Sequence, residues 1–468
     1  MDSSFDLVVI GGGSAGHAAA LTAAELGAKT ALVESAEEFG GLCILRGCMP
    51  SKILIETANR MRVVRDAARF GFRAAGPEPD LPALRERLHS LIDDFRQDRL
   101  QAMKEARYAL LRGKARFRST SEIELREPEG GTRVLEARTF VIATGSEPTV
   151  PEIPGLKDTP FWTSDDVVGL PEMPERIAIL GTGGVGMEFA HFFEGLGSQV
   201  TMIVRGKRIM GDSDPDIAEA MEAESRERGI AFLKETEVKA VSHGAGGFRL
   251  KLSGEAGELS CDTLLVATGR KPATAGLGLE EIGIAMEKGR ILIDERAATS
   301  LRCIYAAGDC ASPVPVVHLA ILQGEVAAKN AVLSMRNDHL NSVAEWPRRS
   351  VMSAWFTEPQ CVRIGLSEES AKADGIEVLV GRQSYKDHGK GMIAGSRHGF
   401  VKVLAERSNE RLLGAAGVGP LVAETGHLLQ AAIERQLTLS EYLAIPHYHP
   451  TLAEAWLRAV EDAKRQLA

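Results

Sequence analysis

The sequence predicts an α/β fold in which two Rossmann-like dinucleotide-binding domains precede a C-terminal α+β domain. Three observations predict it. Glycines recur as Gly11, Gly13 and Gly16 and again as Gly181, Gly183 and Gly186, the same spacing twice. Each set follows a short apolar strand and opens a helical stretch. Each unit then closes on an Ala-Thr-Gly turn, Ala143-Thr144-Gly145 in the first and Ala267-Thr268-Gly269 in the second.

In the first unit, residues 5–10 form a buried strand, 18–26 continue as helix, and 29–33 form a second strand ending at Glu34. Each glycine has a mechanical reason. Gly11 permits the tight turn, Gly13 lets backbone approach a pyrophosphate, and Gly16 lets the helix pack on the strand. Glu34 accepts from ribose hydroxyls. A thiol pair follows in Gly-Gly-Leu-Cys-Ile-Leu-Arg-Gly-Cys-Met-Pro-Ser-Lys, residues 40–52, which spaces Cys43 and Cys48 as Cys-x4-Cys. Gly47 can bend the backbone, and Pro50 suits the first turn of a helix. A thiol at a helix start meets positive dipole, which favours thiolate, and Arg46 and Lys52 add positive charge. By themselves these residues fit two unrelated reduced cysteines as well as a redox pair. A zinc half-site lacks its second ligand pair, because Cys261, Cys303, Cys310 and Cys361 form no Cys-x-x-Cys. No metal site is expected.

Helical periodicity covers 53–70 and 84–111, and 113–127 with 132–137 read as strands of a small meander. Residues 140–145 give a strand entering the first Ala-Thr-Gly turn, and the proline-rich 148–160 segment is a crossover between domains. The second unit has strand 177–180, helix 187–196 and strand 199–204, ending in Arg205 where the first unit has Glu34. A carboxylate there would repel a ribose 2′-phosphate, whereas arginine attracts it, so Arg205 with Lys207 and Arg208 favours NADP(H) over NAD(H). A solvated basic turn is the plainer alternative. Strand 304–309 ends at Asp309, placed to bind a polyol hydroxyl. A helix over 316–333 offers its N-terminus to negative charge on a reduced ring. A linker over 337–349 leads to strands and helices that end in His447-Tyr-His-Pro-Thr-Leu-Ala-Glu-Ala-Trp456.

With 468 residues, the chain has material for roughly three domains. A net charge of -9 argues against general nucleic-acid binding, which needs a basic stripe. No apolar run reaches membrane-span length, and Asp2 and Asp6 stand where a signal peptide would be basic. Six cysteines in this length form no secreted disulfide framework, so a soluble cytoplasmic protein is expected.

Two dinucleotide units, a Cys-x4-Cys pair after the first, and a terminal His-Pro…Glu together resemble the flavin-dependent pyridine nucleotide-disulfide oxidoreductases. The resemblance runs from Asp6 to Trp456. It implies FAD in the first unit, NAD(P) in the second and a C-terminal dimerisation domain, so a homodimer. The implied boundaries are 1–150 (FAD), 151–271 (NAD(P)), 272–345 (FAD and central part) and 346–468 (dimerisation). Carried over by position, Cys43 resembles the thiol that attacks substrate and Cys48 the thiol lying against the flavin. Lys52 resembles the lysine near the flavin N5 edge, paired with Glu188 across two domains. Ala115, Thr144, Gly145 and Asp309 fall at FAD-binding positions, and Gly269 closes the nicotinamide domain. His449 resembles the family's acid/base, held by Glu454 and acting on the other subunit's thiols, although His447-x-His449 superficially suggests metal.

Among family members, His-Pro-Thr-Leu-x-Glu, Gly365-Leu-Ser-Glu and Phe356-Thr-Glu-Pro359 look closest to dihydrolipoamide dehydrogenases. The expected activity is a dithiol/disulfide oxidoreductase acting on a dithiol, with a lipoyl domain or lipoyl carrier protein among the candidate partners. The cysteine pair expected near the end of mercuric reductases is missing. Departures are Arg205, which resembles NADPH-linked reductases, and Ile44-Leu45-Arg46 between the thiols. Gly184 stands where glutathione reductases place a tyrosine lid, which leaves that pocket open. Two alternatives stand beside this reading: an NADPH-dependent reductase of another disulfide, and a flavin redox module without turnover.

Overall fold

The computed structural model describes residues 3–170, 172–254, 257–336, 343–396 and 398–467. Two compact units divide the chain. The first comprises Met1–Pro50, Glu86–Thr149 and Arg270–Trp346, and the second Ser51–Arg85, Val150–Gly269 and Pro347–Ala468.

The first unit is built on one mixed sheet. Strands β1 (Ser4–Ile10) and β2 (Thr30–Glu34) flank helix α1 (Ser14–Glu25) in sequence. Short helix α2 (Gly41–Leu45), α3 (Cys48–Arg65) and α4 (Leu81–Glu105) come next in sequence, the residues from Ser51 to Arg85 belonging to the second unit. Strands β3 (Ala109–Arg112), β4 (Lys114–Phe117), β5 (Glu122–Arg126) and β6 (Thr132–Ile142) complete the N-terminal run. The sheet order is β3-β2-β1-β6-β5-β4, and Ile304–Ala306 pairs in parallel with the C-terminal part of β6. β1 is buried over Leu7, Val8 and Val9 because a parallel strand is covered on both faces.

Three expectations are corrected here. The helical pattern predicted to Leu111 ends at Glu105, and Ala109–Arg112 is a strand paired in parallel with β2. The apolar Tyr108-Ala-Leu-Leu run continues a helical period by chance, but its backbone is claimed by the sheet edge. The strand at 140 is also no separate element: β6 runs unbroken from Thr132, antiparallel to β5 in its first half and parallel to β1 in its second. The helix foreseen from 53 begins at Cys48, ends at Arg65 and passes into a 3-10 turn, Asp66–Phe70. Of the expected 337–349 linker, residues 337–342 lie outside the described residues.

The second unit contains a four-stranded parallel sheet ordered Ala231–Leu233, Gln199–Ile203, Arg176–Leu180, Thr263–Val266. It also contains a five-stranded antiparallel sheet ordered Met352–Trp355, Gln360–Gly365, Leu412–Gly419, Phe400–Glu406, Val378–Ser384. The amphipathic helix Glu454–Arg465 buries Trp456, Ala459, Val460 and Ala463 in the core of that second sheet. No helix among the described residues is long and apolar enough to cross a membrane.

One polar cluster is built into this core. Lys402 is fully buried, and its Nζ lies 2.7 Å from Asp214, 2.9 Å from Asp216 and 2.7 Å from Glu368. Burial alone would raise the Asp214 carboxyl, but Lys402 and the backbone N–H groups of Glu368 and Glu369 bring it below its ordinary value. Burial opposes the Lys402 charge, and hydrogen bonding to the three carboxylates outweighs it, so the ammonium is held above its ordinary value. Replacing Lys402 by Met leaves the buried Asp214 carboxylate without its cation. We expect a loss of about 3 kcal/mol, at the lower end for a broken buried pair because Asp216 and Glu368 retain water and Arg382. Urea unfolding at neutral pH measures it. The sign with pH follows from the shifts. The Asp214 contribution is present above the unfolded carboxyl value and is lost as pH falls through its depressed folded value. The Lys402 contribution is lost only as pH rises through its raised one. The gap between wild type and Lys402→Met therefore narrows on acidification and not between neutrality and mild alkali.

Candidate active site

The two glycine turns are the same object built twice. Gly11 and Gly181 have left-handed φ of 104° and 112°. A Cβ on Gly16 would stand 1.8 Å from the Gly11 carbonyl oxygen, and one on Gly186 would stand 2.3 Å from that of Gly181. Only glycine lets either helix come so close to its strand. Gly13 and Gly183 are the residues preceding the first helical turns of Ser14–Glu25 and Gly184–Leu196. Neither helix has a side-chain cap or an acidic residue in its first turn. Their leading N–H groups thus remain for an anion.

In the first unit, Glu34 is buried at the end of β2, accepting from Gly12 N–H at 2.7 Å and from Ala36 N–H at 2.8 Å. Each carboxylate oxygen keeps a further lone pair for a ribose hydroxyl. Gly12 was not foreseen as a site residue, although the Gly-Gly-Gly run carried the signal. Ala115 is buried on β4, and Thr144 and Gly145 form the half-buried turn after β6. Gly145 has open space where a side chain would stand, as does Gly13. Asp309 accepts from Ser146 Oγ at 2.6 Å, and Arg270 Nε donates to the same hydroxyl at 2.9 Å. A glycine cradle, a bare helix start and an acid with spare acceptors suit a dinucleotide such as FAD.

The cysteines lie against this cradle. Cys43 sits in α2, and Cys48 is the first residue of α3, whose first turn carries no acid. Gly41, with φ of 71°, allows the approach: its Cβ would stand 2.6 Å from Gly13 Cα. Both cysteines are half-buried.

In the second unit, Lys52 Nζ pairs with Glu188 at 2.9 Å, and Glu188 also accepts from the Phe356 N–H at 3.0 Å. The Lys52 ammonium stands 4.7 Å from the Phe356 ring centroid. Lys52 and Glu188 both lie in this one compact unit. Phe356 belongs to the Phe356-Thr-Glu-Pro359 motif, and nothing in a sequence tells that a backbone N–H will meet a carboxylate. Arg205 is exposed just beyond strand Gln199–Ile203, whereas Arg208 reaches Glu369 at 3.2 Å. Gly269 has left-handed φ of 115°. The space beside Gly184 is not open as expected: the Trp355 indole Nε1 lies 3.0 Å from where its Cβ would be. The aromatic ring arrives there from strand Met352–Trp355.

His449 and Glu454 meet as the sequence suggests. His449 Nδ1 lies 3.0 Å from Glu454 Oε1, while Thr451 N–H donates to Oε2 at 2.8 Å. Glu454 is a buried first-turn residue of its helix, whereas the imidazole is 81% exposed. Burial acts to raise the Glu454 carboxyl, but the Thr451 and His449 hydrogen bonds bring it below its ordinary value. An ionised carboxylate only accepts, so Nδ1 carries the hydrogen and the Nε2 lone pair faces outward. His447 instead bonds its own loop, with Nδ1 2.8 Å from the Ile445 carbonyl oxygen.

The chain is similar to known proteins over most of its length. The family model for pyridine nucleotide-disulphide oxidoreductases matches residues 5–324, and the model for that family's dimerisation domain matches 351–460. The chain is 34% identical to a dihydrolipoyl dehydrogenase of Chlamydia muridarum, over 97% of this chain and 96% of that one. It is 36% identical to a mercuric reductase of Acidithiobacillus ferrooxidans, over 93% and 78%. The crystal structure of LpdA from Mycobacterium tuberculosis superposes with a TM-score of 0.87 at 25% identity, covering 99% and 100%.

Proposed function

The chain belongs to the pyridine nucleotide-disulphide oxidoreductase family, and from that premise we propose that it is a dihydrolipoamide dehydrogenase-like enzyme. It passes two electrons between a dithiol, a Cys43–Cys48 redox disulfide, FAD and NAD(P). The observation that carries the reading is the His449–Glu454 pair, with an outward basic nitrogen fixed by a buried carboxylate. In a homodimer, this exposed imidazole serves the thiols of the other subunit.

The chemistry of the chain's own residues follows. Nε2 of His449 takes a proton from the substrate dithiol, and Glu454 fixes the tautomer and offsets the imidazolium charge. The substrate thiolate attacks Cys43 sulfur, the Cys43–Cys48 bond breaks, and Cys48 leaves as thiolate. After the imidazolium gives its proton to solvent, Nε2 takes the proton of the second substrate thiol, whose sulfur then attacks the first, closing the oxidised substrate and releasing Cys43 as thiolate. Lys52, oriented by Glu188, holds a positive charge one helical turn beyond Cys48. FAD, when bound, supplies the two-electron link between these thiols and the nicotinamide.

The second reading, an NADPH-linked reductase of another disulfide, is favoured by exposed Arg205 at the ribose position. Arg205→Glu is expected to lower the NADPH:NADH ratio of kcat/KM by about ten- to a hundredfold, the scale of one charged hydrogen bond. An unchanged ratio removes Arg205 from cofactor choice. The experiment that decides between readings is a steady-state comparison of dihydrolipoamide, glutathione disulfide and a lipoyl-protein with both nicotinamides. Hg(II) is included as a further acceptor because one relative is a mercuric reductase. No turnover of either lipoyl substrate would sink the first reading.

A further inference from the structure

In the first unit, the Arg99 guanidinium lines a cleft and, among the described residues, pairs with no carboxylate. The cleft, about 490 Å3, runs along α1, with Leu21 on one side and Ile321, from helix Val317–Met335, on the other. His17 and Arg99, the latter from α4, line it as well. His17 Nδ1 lies 2.9 Å from the Tyr108 hydroxyl. Burial first, and the Arg99 charge second, push the His17 imidazole down to about 4, so it is uncharged at neutral pH. Arg99 is half-buried. Among the described residues it donates no hydrogen bond and pairs with no carboxylate. Burial disfavours its charge, and the neighbours that support it are the Cys43 thiol and the Tyr108 phenol, neither an obligate anion. The remaining charges at the cleft are Glu25, exposed, and Glu325, which lies 3.8 Å from Lys329.

A partly desolvated guanidinium is costly unless its donors are met, and its planar fork matches a carboxylate. We propose that Arg99 is a specificity-determining residue: the cleft takes a small disulfide or dithiol bearing a carboxylate, which Arg99 holds by paired N–H···O bonds while the sulfur meets Cys43. This rests on the reading of Cys43 as the thiol that meets substrate. In the exchange step the Cys43 thiolate attacks R–S–S–R, a Cys43–S–S–R bond forms, and R–S⁻ departs. Arg99 takes no proton or electron.

The test uses FAD-loaded enzyme in a Cys48→Ser background, where the mixed disulfide persists. Its reaction with 5,5′-dithiobis(2-nitrobenzoate), which carries carboxylates, is timed against that with neutral 4,4′-dithiodipyridine. Taking the ratio of the two rates cancels any change in the thiol itself. Arg99→Gln should lower that ratio by about ten- to a hundredfold. Arg99→Lys should retain most of it, and added salt should lower it in the unsubstituted background. An Arg99→Gln variant that slows both reagents alike, or neither, overturns the assignment. Peptide mapping that finds the label on a cysteine other than Cys43 is a distinct outcome, which overturns the Cys43 reading and this inference with it.

Discussion

Cys43→Ser should abolish dithiol oxidation and disulfide reduction while leaving FAD bound at the wild-type stoichiometry. A serine hydroxyl is not ionised near neutrality and forms no sulfur–sulfur bond, so neither attack on substrate nor the mixed disulfide is available. The cofactor cradle does not depend on that sulfur. It rests on Gly11, Gly16 and Glu34, and on the bare start of α1. Absorbance of the purified variant measures FAD content, and NAD(P)H oxidation with a one-electron acceptor tests the remainder of the electron path. Normal disulfide turnover in this variant would refute the role given to Cys43. Loss of the flavin would mean that Cys43 holds the fold instead of the chemistry.

His449→Ala should slow thiol exchange by a factor on the order of 10²–10⁴, the usual contribution of a positioned acid/base. The geometry argues for a chemical effect and not a collapse of the fold, because the ring is 81% exposed. Its partner Glu454 keeps the Thr451 N–H bond at 2.8 Å when the imidazole is gone. Single-turnover reduction of the enzyme by dihydrolipoamide measures the step directly. Activity within twofold of wild type would remove His449 from the mechanism. Because Glu454 acts through His449, Glu454→Gln should show a smaller loss and a changed pH profile.

What the sequence made legible was local and backbone-driven. Gly16 and Gly186 could be read because a helix that touches its own strand tolerates no side chain, a constraint that one residue type satisfies. Lys52 with Glu188, and His449 with Glu454, were paired by the family resemblance, and the structure joins both pairs. What stayed hidden depended on distant neighbours. Tyr108-Ala-Leu-Leu carries apolar residues that suit a helix face or a strand equally, and only β2 decides between them. Trp355 fills the space beside Gly184 from a strand more than 150 residues away, so the glycine by itself suggested a vacancy. Arg99 is one of many arginines until the cleft singles it out. Lys402 sits in the apolar alternation of Phe400–Glu406, where a lysine reads as an ordinary solvent-facing residue.

That lysine has a further consequence. Three carboxylate oxygens from Asp214, Asp216 and Glu368 lie within 4.8 Å of one another, a grouping that elsewhere invites calcium or magnesium. Here a tethered ammonium already sits among them. The counter-charge cannot exchange with the medium, so dialysis against a chelator has nothing to extract at this position. Its strength is set when the chain is synthesised and stays indifferent to the divalent-ion content of the surroundings.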